Sequence, residues 1–250
     1  MCGRFVAASS PTLLAERFHA EDTIEATVPD YNVAPREDVT VVRERADGDS
    51  RRRVLSRIRW GLVPAWAKVP SVGDRMINAR AETLRRSSAY QVAFEKRRCL
   101  IPADGFYEWE KLPPAPGATR GRRQPYLIHR RDGEPMAFAG LWAVWKVPEA
   151  QVGTIGGDDG WLRSCSIVTT EANALLEPVH NRMPVVLPEG AWDEWLDPTP
   201  VTGARAAALA ELLVPAPDAW FEMFAVSERV NRVLEKGPEL VRPIDAPGAP

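Results

Sequence analysis

Short apolar runs bounded by turn residues recur along this chain, and they dictate what it can fold into. DVTVVRE, VLSRIRWGLVP, CLIPADGFYEWE, PYLIHR, MAFAGLWAVWK and LRSCSIVTT are strand-length and rich in β-branched and aromatic residues, so they read as strands. GRFVAA adds a first strand and FEMFAVS a last one, while YNVAP and PVVLP read as extended. Ser10 and Pro11 supply an N-cap and a first-turn proline for a helix through TLLAERF. RAETLRRSSAYQVAFEKRR carries helical periodicity, broken at Ser87-Ser88, and NALLEPVH, EGAWDEWL and ARAAALAELL also read as helices. RADGDSRRR reads as a charged turn, residues 112–125 as an exposed Pro/Arg-rich loop, and EAQVGTIGGDDG as a second loop. Many strands with helices interspersed predict one α+β domain of mixed or antiparallel sheet, closing toward a barrel.

The hydrophobic fraction of 45% supports a substantial core. No run of about 18 apolar residues offers a spanning helix, so no membrane partner is expected. No basic segment followed by an apolar one opens the chain, which points to a cytoplasmic location. Cys2, Cys99 and Cys165 form no CxxC pair, and their odd number argues against a disulfide framework. Cys99 and Cys165 sit in apolar strand runs and read as buried. His19, His129 and His180 lack metal-ligand spacing, so neither metal nor cofactor is expected. A net charge of −2 is a poor match to a general nucleic-acid coater. Any nucleic-acid contact must come from a local basic surface.

Four segments look overspecified for packing. In MCGRF, removal of Met1 would leave Cys2 with an α-amine and a thiol on one residue. Such an amine titrates at roughly 7.7–8.0 and is partly uncharged near neutrality. It can condense with an aldehyde, after which the thiol closes a thiazolidine ring. The bland alternative is a small hydrophobe opening a strand. In INARAET, Asn78 reads as an N-cap or as a group that orients an amine, with Arg80 able to bind an anion at the same helix start. In ADGFYEWE, alternation puts Phe106, Glu108 and Glu110 on one face, so either glutamate is a candidate acid with a raised pKa. In EPVHNRMPVVL, His180 stands at a helix-to-strand turn and titrates in the range useful for proton transfer.

MCGRF, YNVAP, RWGLVPAW, INARAET, ADGFYEW, FAGLW, IVTTEAN, HNRMPVVL and VNRVLEKGPEL, in this order, resemble the SRAP family, the SOS response-associated peptidase or abasic-site processing proteins. The resemblance runs over 1–244, leaving a tail at 245–250. It implies one domain with a barrel-like strand core. It also implies binding, as a monomer, to single-stranded DNA or a single-strand/double-strand junction that holds an abasic site. The N-terminal cysteine would then form a reversible thiazolidine crosslink with the ring-opened aldehyde, and peptidase-like and lyase-like activities are implied beside it. Residue by residue, Cys2 matches the crosslinking residue, Asn78 the INAR asparagine, Glu108 the GFYEW glutamate and His180 the histidine before N-R-M-P. Arg4, Arg80 and Arg182 match phosphate contacts, Trp66 and Trp109 match base-stacking positions, and Pro35 matches a strand-wedging loop.

Two other classes compete. An N-terminal-nucleophile amidohydrolase would also begin Met-Cys-Gly and use Cys2 to attack a carboxamide. A non-catalytic single-strand sensor would use the arginines and aromatics for binding only.

Overall fold

The computed structural model describes residues 2–47, 50–114 and 121–244. Its strands are β1 (Phe5–Ala7), β2 (Asp30–Val33), β3 (Asp38–Asp47), β4 (Ser50–Trp60), β5 (Asn78–Arg80), β6 (Arg98–Ala103), β7 (Gly105–Leu112), β8 (Arg122–Arg130), β9 (Met136–Lys146), β10 (Trp161–Glu171), β11 (Arg182–Pro184) and β12 (Phe221–Ala225). The α-helices are α1 (Pro11–Arg17), α2 (Gln91–Lys96), α3 (Trp192–Leu196) and α4 (Gly203–Glu211). Short 3₁₀ turns connect them. Ser10 caps α1 through its side chain, which accepts from Leu13 N, and Pro11 takes the first turn.

The expected barrel-like core is present. β3 pairs with β4, β4 with β10, β10 with β9, β9 with β6, and β6 with β3, so five strands close a ring. Only the β4–β10 join is parallel. Residues that alternate inward from these strands form one apolar cluster: Val39, Val41, Ile58, Trp60, Cys99, Ile101, Phe138, Cys165 and Ile167. Gly140 lies on this inner face, where an added Cβ would sit 2.8 Å from Cys99 Sγ. A second, antiparallel sheet of order β12-β8-β7-β1-β2 covers one end of the ring. Its Phe5 and Phe106 pack edge-on against Trp60 and Phe138. A separate cluster on the other face of the ring buries Phe94, Leu141, Trp192 and Trp195 under α1–α4.

β10 is the strand that positions the site. Its register with β4 covers Ser164 and Cys165, whereas from Ile167 it pairs in parallel with β5. Asn78 stands opposite Ile167, where the ladder changes partner. β11 then takes β10 from Thr169 to Glu171.

Several sequence expectations need correction. Asn78 and Arg80 do not start a helix: they belong to β5, because pairing with β10 outweighs the local capping preference. The helix expected after them reduces to a 3₁₀ turn at Leu84–Arg86 and the short α2, with the break at Ser87 as expected. NALLEPVH is a chain of turns, since Asn173 Oδ1 accepts from Leu176 N and Pro178 cannot continue a helix. RADGDSRRR is mostly strand, with Arg45 opposite Arg52 and Asp47 opposite Ser50 in the β3–β4 hairpin. The 112–125 loop is shorter than expected, because Leu112 pairs with Arg122 and Gln124 is a buried strand residue that donates to Val226 O. Residues 115–120 of that loop, and the tail at 245–250, lie outside the described residues.

Among the described residues, no helix is long and apolar enough to cross a membrane. Nor does any group of three or more His, Cys, Asp or Glu side chains there form a metal-binding cluster.

Candidate active site

Cys2 is fully buried, in the cluster that joins the covering sheet to the ring. Its carbonyl oxygen accepts a hydrogen bond from Asn78 Nδ2 at 2.9 Å. Asn78 is itself held from behind: Tyr90 Oη donates to its carbonyl at 2.9 Å, and Trp60 Nε1 donates to the neighbouring Ile77 carbonyl at 2.9 Å. The Asn78 Oδ1 atom is buried and accepts nothing among the described residues. It is an acceptor ready for an N–H or O–H brought by a ligand.

Burial pushes the Cys2 thiol well above its ordinary pKa, and the nearby Glu108 carboxylate raises it further. The thiol is therefore held neutral. Glu108 lies on β7 with only 2% of its surface exposed. Burial pushes its carboxyl up to about 7. Glu110, the competing glutamate, is only half-buried and accepts from Tyr126 Oη at 2.9 Å. Position on the strand therefore favours Glu108 as the acid near Cys2.

His180 follows the turns after β10. Its backbone N–H donates to Leu176 O, and its Nδ1 accepts from Arg182 N at 3.0 Å. That bond leaves the proton of the neutral ring on Nε2. Burial, then the charges of nearby cations including Lys111 of β7 and Arg182, hold its pKa below the ordinary value. Near pH 7 this ring is neutral.

The expected phosphate ligands occupy unequal settings. Arg80 is exposed on β5. Arg4 is half-buried, and its Nη1 donates to Asn32 Oδ1 and Val230 O, both at 2.9 Å. Arg182 grips Glu82 through both guanidinium nitrogens, at 2.6 and 3.0 Å, and donates to Thr169 O. That pairing also keeps the Glu82 carboxyl below its usual range. Trp66 is 59% exposed, whereas Trp109 is half-buried and donates to Asn231 Oδ1 at 2.8 Å. Pro35 is half-buried just past β2, before Arg36, whose φ is +79°.

Some neighbours had no sequence signal. Arg122 and Arg123, expected in a loop, stand on β8 and line a depression of about 500 Å³ with Gly3, Arg4 and Trp109. Tyr90 gave no hint of its bond to Asn78, because that bond depends on where α2 packs. Asn32 lay within the YNVAP motif, yet its role is visible only in three dimensions. Fully buried, it donates to the carbonyls of Val230, Arg232 and Glu235 and so fastens the VNRVLEKGPEL segment beside Arg4.

Comparison with known proteins fits this geometry. The family model described as SOS response associated peptidase (SRAP) matches residues 1–233. The chain is 36% identical to the abasic site processing protein YoqW of Bacillus subtilis, across 96% of this chain and 99% of that one. It is 31% identical to the abasic site processing protein YedK of Escherichia coli, across 98% and 100%. A crystal structure of a phage-related protein from Bordetella bronchiseptica superposes with a TM-score of 0.65 at 31% identity, over 91% of this chain and 95% of that one. On the family match and on identity above 30% along nearly the whole length, the chain belongs to the SOS response associated peptidase (SRAP) family.

Proposed function

We propose that this protein processes abasic sites in DNA by forming a reversible covalent link through Cys2. The observation that carries this reading is the grip of Asn78 on the Cys2 carbonyl, beside a carboxyl poised at about 7. The functional unit is residues 1–244, acting as a monomer on single-stranded DNA or a junction, in the cytoplasm and on the nucleoid. Hydrolysis of the Met1–Cys2 bond, the peptidase-like step, exposes the α-amine.

An abasic sugar is mainly a closed hemiacetal, so opening it needs one group to protonate the ring oxygen and another to take the hydroxyl proton. Glu108 exists in both protonation states near neutrality and serves the first role. His180, neutral there, serves the second. The Cys2 amine then adds to the aldehyde carbon, whose oxygen takes back the proton that His180 had accepted. One amine proton re-forms the acid at Glu108, which passes it to the hydroxyl leaving as water, and the second returns to Glu108 as the neutral imine forms. The thiol sulfur adds to the imine carbon while its proton passes to nitrogen. The sum is aldehyde plus aminothiol giving thiazolidine plus water, with no redox change, and water reverses it. A lingering imine would promote lyase-like strand cleavage; ring closure removes that imine and shields the lesion.

The neutral, buried thiol supports this order of events, amine first and sulfur second. An amidohydrolase needs the thiolate to attack first. Arg4, Arg80 and Arg182 are assigned to phosphates, Trp66 and Trp109 to base stacking at roughly 1–3 kcal/mol per base, and Pro35 to the strand-separating loop. The test is a denaturing gel of Met1-trimmed protein mixed with single-stranded DNA bearing one abasic site. A shifted band that Cys2→Ala and undamaged DNA both lack supports the proposal. If trimmed wild type gives no band, the proposal fails.

A further inference from the structure

The ring of strands has two ends. One is plugged by Phe5 and Phe106, and Cys2 belongs to the same cluster. The other end carries charge. Alternation along β3 puts Arg43 on the inward face of Val39 and Val41. Arg163 continues the face of Cys165 and Ile167 on β10, and Trp142 that of Phe138 on β9. Phe138 and Trp142 are four residues apart, so the ends lie about 13 Å apart along the strand. The guanidinium carbons of Arg43 and Arg97 stand 5.1 and 5.8 Å from the Trp142 ring centre.

This charge is not neutralised from within. Arg43 donates to Ser56 Oγ at 3.0 Å, and Arg57 donates to neutral oxygens of Asp38 and Thr40. Among the described residues, Arg43, Arg45, Arg57 and Arg97 have no carboxylate partner, whereas Arg163 pairs with Asp159 at 2.6 Å. Burial and the charges of Arg163 and Arg45 hold the Arg43 guanidinium below its ordinary pKa, a tension that a bound anion would relieve.

A depression of about 600 Å³, lined by Arg43, Arg45, Arg57, Arg163 and Ser56, opens at this end, with Glu25 as the carboxylate on its wall. A second, of about 430 Å³, shares Arg57 and Arg163 and continues past Arg59, which is matched by Asp74, with Asp38 as the carboxylate residue on its wall. The two form an open track rather than a closed pocket. A track with successive unpaired guanidinium groups fits a chain of phosphates better than a single small anion.

We propose that this end of the barrel is a second anion-binding surface, which takes the phosphodiester backbone of a DNA segment beyond the one engaged at Cys2. It rests on the reading of the chain as a DNA-binding protein. The test is fluorescence anisotropy with undamaged single strands, one short and one several times longer, across a range of salt concentrations. The Arg45→Glu/Arg57→Glu double variant changes exposed side chains only, and Arg43→Gln supplies an independent probe. With the long strand, the slope of log affinity against log salt is expected to flatten by about 0.7 for each lost phosphate contact. Binding of the short strand, and crosslinking of a short abasic strand, are expected to stay as in wild type. An unchanged long-strand slope overturns the proposal, as does a variant that instead loses affinity for poly-glutamate, the mark of an acidic protein partner. If no crosslink forms but the slope flattens, the Cys2 chemistry alone is wrong. If the crosslink forms and the slope is unchanged, this surface alone is wrong.

Discussion

Asn78 reaches 76 positions back along the chain to hold Cys2, its Nδ2 donating to the Cys2 carbonyl oxygen at 2.9 Å. The contact is to main chain, so it fixes where residue 2 sits without touching the thiol. Asn78→Ala is expected to lower the crosslinking rate by at least tenfold while leaving the affinity for undamaged strands within twofold, because the backbone ladder of β5 remains. Rates from timed denaturing gels and affinities from anisotropy separate the two effects. Equal loss of both would mean that Asn78 binds DNA rather than placing Cys2.

Glu108 makes stability depend on pH in a predictable sense. Its folded value of about 7 lies above the ordinary 4.5, so the folded state holds the proton more tightly than the unfolded chain does. That advantage is complete below about 4.5 and is lost as pH rises through about 7. Glu108→Gln stays neutral, so relative to wild type it should gain stability as pH rises, by an amount on the order of 3 kcal/mol above the folded pKa. Denaturant midpoints measured on both sides of neutrality check this. A parallel pair of curves would show that the carboxyl is not held in its neutral form.

His180 is assigned to proton transfer, not to affinity. His180→Ala is expected to slow crosslink formation or reversal by about 10²–10⁴-fold, with undamaged-strand binding nearly intact. His180→Gln cannot carry a proton but can still accept from Arg182 N–H. It should remain slow, which separates proton transfer from support of the turn.

Asn32 is a structural prediction. Its amide shares two N–H groups among three backbone carbonyls and its oxygen receives Arg4. In Asn32→Ala, Val230 O keeps Arg4 and Arg232 O keeps the Glu235 N–H, so the Glu235 carbonyl is the one that loses its donor. A loss of about 1–3 kcal/mol in chemical denaturation is expected. Arg4, left with Val230 O as its acceptor, would be held less firmly and strand binding would weaken.

Gly140→Ala tests the inside of the ring. The new methyl would meet Cys99 Sγ at 2.8 Å and Ile101 Cγ1 at 3.0 Å, an overpacking that costs about 1–3 kcal/mol. Cys99→Ala in the same chain should restore part of that loss. Additive losses in the double variant would exclude direct contact as the cause.

What the sequence disclosed depended on how local the cause was. The Ser10 cap and the break at Ser87 are decided within a few residues, and each is legible in the chain. Alternation only placed Glu108 and Glu110 on one face; the depth at which β7 packs, which buries Tyr107 and Glu108 alike, separates the two. Of the two readings of Asn78, the helix cap fails because its partner Ile167 is remote in sequence and only the fold brings the two strands together. The arginines of 122–123 were placed in a loop for a similar reason, since proline and glycine around them mask pairing with Lys111 and Leu112. Arg182 was expected as a phosphate contact through the resemblance, and no spacing rule could reveal that Glu82 already fills its fork.

The pairing of β9 with β10 closes the ring, but its seams are unequal. β9 is laddered to β10 over seven residue pairs and to β6 over six, whereas β3 meets β6 at the single pair Val42–Leu100 and β4 meets β10 at two. The β3–β4 hairpin is therefore the part that can separate from the ring at least cost, and β9, held on both sides, is the strand that separates last. A load applied to Cys2, which packs against one end of this ring, would find its yielding seam at that hairpin. Amide exchange should accordingly be slowest in β9.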